Sequence, residues 1–197
     1  MTILSKNNEH GRSMVEMLGV LAIIGVLSVG GISGYSKAMA KFKLTKAQDQ
    51  ISMLLMNIRT AFATSPNYNG LVNKNAIAYN IAPTDMVPDA SVGKTKINHA
   101  FGGDVVVAAT TADGTDVAAD AESAVGQYFF IKLDKLGNEA CLSLATSDWG
   151  TDGLVKMIVT PDGGSATSHE AASMPVGMAE AGCGSKGVYN TIKWVYY

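Results

Sequence analysis

Charge and reactive chemistry are both thin in this sequence. Of its 197 residues only 16% are Asp, Glu, Lys or Arg, and they nearly cancel, to a net −2. A nucleic-acid partner usually demands a basic footprint, so none is expected. There are three histidines, His10, His99 and His169. No HExxH, CxxC, GxSxG or P-loop pattern occurs, which removes the common sequence grounds for an enzyme, a cofactor or a metal. The stretch 113–123 puts four acids within ten residues. It lacks the ligand order of a calcium-binding EF-hand and reads as a solvated loop. Two cysteines, Cys141 and Cys183, are too few for a disulfide-dense scaffold and enough for one bridge. What the chain does have is apolar residues, 47% of the total, which excludes disorder throughout.

Those apolar residues are unevenly placed. Residues 17–36 contain no charged side chain, and twenty helical residues span about 30 Å, the thickness of a bilayer's hydrocarbon core. Three readings compete for this run. A secretory signal peptide would take Lys6 and Arg12 as its basic start and cut after Ala40, but Glu16 then stands where positive charge belongs. A plain membrane anchor leaves Glu16 unexplained, and a carboxylate near a bilayer centre costs roughly 2.5 to 3.5 kcal/mol or more. The third reading cuts the chain after Gly11. Arg12 becomes the new N-terminus, and its α-amino group, with a pKa near 8, is largely cationic at neutral pH. One molecule's ammonium and a neighbour's Glu16 can then neutralise each other inside an apolar bundle, which sets register more than it adds stability.

Gly11, Arg12, three further residues, Glu16 and then an apolar helix resemble the class III signal of type IV pilins and their relatives. The resemblance implies that an inner-membrane prepilin peptidase cuts after Gly11 and that the new N-terminal residue, Arg12, is methylated. It makes Glu16 the assembly carboxylate. The family usually has Phe, Met or Leu where this chain has Arg12. The resemblance also implies that the leader stays in the cytoplasm. Yet Lys37, Lys41, Lys43 and Lys46 all follow the apolar run, and a count of positive charges favours the opposite orientation. A distal cysteine pair suits an oxidising exterior and argues for the pilin orientation.

Five glycines, Gly19, Gly25, Gly30, Gly31 and Gly34, punctuate the run. They read as ordinary membrane-helix composition or as small residues for close helix packing, with Gly30 and Gly34 as a G-x-x-x-G pair; the pilin resemblance adds a third reading, local unwinding once the helix leaves lipid for a filament core. Past the run, Ala40, Leu44, Ala47, Ile51, Leu54, Leu55, Ile58 and Phe62 recur mostly three and four apart, an amphipathic stripe. Lys41, Lys46, Gln48, Asp49, Gln50 and Arg59 mostly fall on the other faces. Pro66 ends the pattern, so one helix is expected over 13–63. Residues 71–81 suit a short helix, and Pro83 and Pro88 mark irregular chain. Four strands are expected, at 101–110, 127–133, 154–160 and 192–197, in an antiparallel sheet with one face on the helix stripe and the other in solvent. Residues 135–148 read as a short helix with Ala140, Leu144 and Ala145 inward. Trp149 and Trp194 read as core residues.

"INHAFGGDVVV", "YFFIKLDKLGNEACLSLATSDWG" and "NTIKWVYY" look like the type IVb pilins, nearest the PilS-like set of major and thin-pilus subunits. The expected fold is therefore α+β, a long N-terminal helix packed on an antiparallel sheet. Its parts are a leader 1–11, a membrane and assembly half-helix 12–36, an amphipathic half 37–65, and a head 66–197. In such a family the loop 141–183 is closed by a Cys141–Cys183 bridge, and two free buried thiols are the alternative. The implied function is a structural subunit of a type IV pilus, held in the inner membrane as a precursor and then part of an extracellular filament. Its partners are further copies of itself, the peptidase and the inner-membrane assembly machinery. The rivals are a minor pilin, a type II secretion pseudopilin, and a secreted or anchored ligand-binding domain.

Overall fold

The structure is a computed structural model that describes residues 14–88, 95–115, 126–184 and 189–197. The chain divides into two compact units, Met1–Lys41 and Phe42–Tyr197. Helix α1, Met14–Ala61, begins in the first and ends in the second. Its ends fall within two residues of the expected 13–63, the usual uncertainty of a helix boundary.

In the first unit the helix has no apolar partner among the described residues. None of its apolar window is buried, and Val26, Val29 and Ile32 are each about 70% exposed (75%, 72% and 68%). A contiguous apolar surface of this extent marks a face made for lipid or for another protein. The second unit is the opposite case. Ala47, Ile51, Leu54 and Ile58, spaced by four, three and four, are at most 1% exposed. That spacing keeps them on one side of a 3.6-residue helix, and Ile51, Leu54 and Ile58 join the head's core cluster.

Among the described residues the sheet has six strands in the order β1-β2-β3-β6-β4-β5. They are β1 Ile97–Asn98, β2 Asp104–Thr110, β3 Tyr128–Leu136, β4 Leu154–Pro161, β5 Thr167–His169 and β6 Asn190–Tyr196. Every pairing is antiparallel. The last strand in the chain lies in the middle of the sheet, between β3 and β4. Period-two alternation sends Val105 and Val107, Phe129, Ile131 and Leu133, Met157 and Val159, and Ile192, Trp194 and Tyr196 to the core shared with α1. Arg59 of α1 sits over the Tyr196 ring, 5.7 Å from its centroid, and donates to the Asp152 carbonyl. Tyr68 packs between Phe62 and Phe129 at 5.4 and 4.6 Å.

The expected strands form, with β1 and β5 added at the two edges. The opposite face of the sheet was expected to meet solvent, and in part it does not. Phe130 and its register partner Val195 lie there and are fully buried. Lys193 Nζ stands 3.9 Å from the Phe130 centroid and donates to the Gly114 carbonyl at 2.5 Å. The turn around Gly114 therefore lies on this face. A Cβ at Gly114 would come within 2.9 Å of Ile158 Cδ1, and its φ is +89°. Only glycine suits such a combination.

Among the described residues three short α-helices complete the head: α2 Asn73–Ala78, α3 Asn138–Thr146 and α4 Val176–Gly182. The first two occupy the expected positions, and Leu144 and Ala145 of α3 are buried as anticipated. Trp194 is buried, and half-buried Trp149 meets it edge-on at 4.9 Å while donating from Nε1 to the Leu144 carbonyl.

Candidate functional site

Glu16 lies in the first turn of α1. A carboxylate there is favoured by the unpaired amide N–H groups of a helix N-terminus. Its neighbours on the helix are exposed apolar side chains, Met14 at 85%, Val15 at 77% and Leu18 at 64%. Among the described residues no ion pair involves Glu16. Gly11 and Arg12, the expected cut site and new N-terminus, lie outside the described residues. A methyl-sized group added at Gly19, Gly25, Gly30, Gly31 or Gly34 would meet nothing within 4 Å. Among the described residues nothing packs against these glycines.

The cysteines are joined. Cys141 of α3 and Cys183, which caps α4, form a bridge with Cα atoms 5.8 Å apart. Cys141 is wholly buried and Cys183 is 5% exposed. Past its expected strand, the segment between them was expected as a loop of small residues. It carries the expected strand as β4 and, in the part beyond, adds strand β5 and helix α4. Met157, Val159, Met174 and Ala179 carry it into the core. Close fit explains its small residues in one place: a Cβ on Gly182 would lie 3.1 Å from Val159 Cβ. Beside the bridge is an open groove of ≈ 670 Å³, lined by Asn138, Leu142, Pro161, Thr167, Glu180 and Cys183 among others. Among the described residues no aromatic side chain or histidine lines it.

A polar cluster ties α1 to the sheet edge, and sequence reasoning missed it. Gln50, assigned to a solvent face, is 5% exposed. Its Nε2 donates to Asp85 Oδ2 at 2.7 Å, and its Oε1 accepts the Ala100 N–H at 3.0 Å. Lys46 reaches the same Asp85 oxygen at 3.4 Å. Next to Ala100, His99 is 4% exposed. Its Nε2 is 2.8 Å from the Asp134 carbonyl oxygen and its Nδ1 is 3.2 Å from the Phe101 amide nitrogen. A carbonyl can only accept and an amide N–H can only donate, so the ring is neutral with its proton on Nε2. Burial lowers the His99 pKa, opposed by the Asp134 carbonyl and by the Asp134 and Asp104 carboxylates. Gly103 is required beside it, because a Cβ there would stand 2.2 Å from the Asp134 carbonyl oxygen. The signal in the sequence was the spacing of Gln50, three after Ala47 and four before Leu54 on the buried stripe.

Among the described residues no group of three or more His, Cys, Asp or Glu could hold a metal. The acidic stretch lies mostly outside them, since 116–125 are not described. Asp113, which is described, caps its own turn. Hydrogen bonds from the Thr111 hydroxyl and from the Thr115 N–H and hydroxyl hold its pKa down at about 2.

With the geometry in place, comparison with known proteins decides the family. The Bundlin family model matches residues 37–196. The chain belongs to the Bundlin family. Two curated relatives, each called the major structural subunit of bundle-forming pilus, come from Escherichia coli O127:H6 and Escherichia coli O111:H-. Each is 28% identical over 204 aligned residues, covering 99% of this chain and 97% of the relative. Among solved structures, the type IV b pilin from Salmonella typhi superposes with a TM-score of 0.53 at 20% identity, over 78% of this chain and 97% of its own. At that identity the likeness concerns the fold alone, and it is the long helix on an antiparallel sheet described above. The Bundlin match begins at Lys37, so it rests on the amphipathic half-helix and the disulfide-closed head. The alignment with the two curated relatives extends across the apolar run as well.

Proposed function

We propose that this Bundlin-family chain is the structural subunit of a type IV pilus, cut after Gly11 and polymerised through its N-terminal helix. The observation that carries the reading is the wholly exposed apolar half-helix headed by a lone carboxylate, Glu16. A folded head needs no such appendage, whereas a filament needs an apolar core. The relatives' printed role in the bundle-forming pilus supports the same reading.

The mechanism is physical assembly. The precursor's half-helix 12–36 rests in the inner membrane with the leader 1–11 in the cytoplasm. Prepilin peptidase removes the leader, leaving Arg12 with a free, then methylated, amino group. The apolar helices exchange lipid for one another as the assembly machinery moves subunits into an extracellular filament. There Glu16 of one copy meets the amino terminus of a neighbour. In an apolar bundle an unpaired charge is strongly unfavourable, so only the register that brings the two together is stable. The head 66–197 stays outside that core, its surface presented by the filament.

N-terminal sequencing of the mature protein tests the first step. A mature end at Arg12 is expected. An end at Lys41 would instead describe a secreted domain cut after Ala40, and an unprocessed chain would describe a simple anchor.

A further inference from the structure

Lys37 and Lys41, which follow the apolar run, have no role in the reading above, and they lie on the side where the positive-charge rule does not want them. Lys37 and Lys41 are both exposed on α1. Four residues apart, they sit on one side of the helix, about 6 Å apart along its axis. The sequence holds no Asp or Glu between Glu16 and Asp49, and among the described residues no ion pair involves either lysine. Like charges at this spacing destabilise a helix unless an external anion neutralises them. Tyr35, 68% exposed, stands two residues earlier, and tyrosine favours the depth of lipid headgroups, where its ring is half wet.

We propose that Tyr35, Lys37 and Lys41 form an interfacial anchor for anionic phospholipid headgroups, which sets the depth of the apolar helix in the membrane before assembly. The inference rests on the reading of this half-helix as membrane-inserted. Charge complementarity identifies the occupant: two unpaired ammonium groups on one side of the helix match the phosphate of an anionic lipid, and the tyrosine hydroxyl adds a donor at the same level. Spacing supplies the consequence. From Lys37 back to Glu16 is 21 residues, about 32 Å of helix, against a hydrocarbon core of about 30 Å. Lysines held in one headgroup layer therefore hold Glu16 at the opposite boundary and out of the bilayer centre, where a carboxylate is least tolerated. The anchor keeps the assembly carboxylate at the membrane boundary and accessible to the next copy.

The test uses the full chain in mild detergent, titrated with phosphatidylglycerol or phosphatidylethanolamine and read by native mass spectrometry. The expected result is a preference of roughly tenfold or more for phosphatidylglycerol, given what two interfacial lysines contribute. The double variant Lys37→Gln/Lys41→Gln should bring the ratio near unity, and Lys37→Arg/Lys41→Arg should restore it. Equal binding of the two lipids by the native chain would overturn the proposal and leave the membrane reading standing. An unchanged preference in the glutamine variant would overturn it too. A native chain that stays monomeric without detergent and takes up neither lipid would overturn the membrane reading with it.

Discussion

Removing the disulfide is the perturbation whose size the structure fixes best. The bridge closes a sequence separation of 42 residues. In the chain-entropy treatment such a loop removes about 13 cal/mol/K from the unfolded chain, or about 4 kcal/mol at room temperature. Both sulfurs are buried, so truncation adds a packing loss in the same direction. The paired substitution Cys141→Ala and Cys183→Ala should therefore destabilise the head by about 4 kcal/mol. For a domain of this size that lowers the unfolding midpoint by about 8–16 °C. The assay is thermal unfolding of the full chain in detergent, followed by fluorescence of the Trp149–Trp194 pair, which lies in contact inside the head. Hydrogen exchange adds a spatial check. The bridge joins α3 to the end of α4, and β5 is a three-residue edge strand near it, so α4 and β5 should lose protection well before β2 and β3. A midpoint shift under about 3 °C would refute the entropic reasoning.

Further outcomes follow from the same core. Leu54→Ala, at a wholly buried site under the sheet, should cost about 2–5 kcal/mol, whereas Met56→Ala, 71% exposed two residues along, should stay within about 0.5 kcal/mol; denaturant titration separates them. His99 predicts an acid-side loss of stability. Its folded pKa lies below the ordinary 6.5, so the unfolded chain binds the proton first as pH falls. Its contribution is complete above about pH 6.5 and is lost as the pH drops from there through the folded value. His99→Gln should flatten that part of the profile; equal slopes in native protein and His99→Gln would remove His99 as the cause.

The parts of this fold that were legible are those that repeat. The apolar run is readable because nothing charged interrupts it. The stripe Ala47, Ile51, Leu54 and Ile58 is readable because its spacing fits a helix, and Val105, Val107, Ile192 and Trp194 because theirs fits a strand. Edge strands β1 and β5 escaped because two or three residues carry no period, and their pairing depends on neighbours far along the chain. The central place of β6 was hidden for the same reason: strand order is a tertiary property. Composition misled twice. Gln50 looked like a surface residue by type although its spacing put it on the buried side, where Asp85 and the Ala100 N–H satisfy its amide. Past the expected strand at 154–160, the rest of the bridged segment looked like a loop because Gly and Ala are common in it, and close packing of Gly182 on Val159 turns out to need such small residues. The neutral state of His99 depends on a carbonyl 35 residues away, and no local pattern announces that.

The central claim, that Glu16 serves assembly and nothing inside its own chain, is tested most directly by Glu16→Ala followed by electron microscopy of the producing cells. The substitution lies in the unit outside the head, so the variant should keep the Cys141–Cys183 bridge and the native unfolding midpoint while filaments disappear. Filaments of normal number and length from that variant would contradict the account.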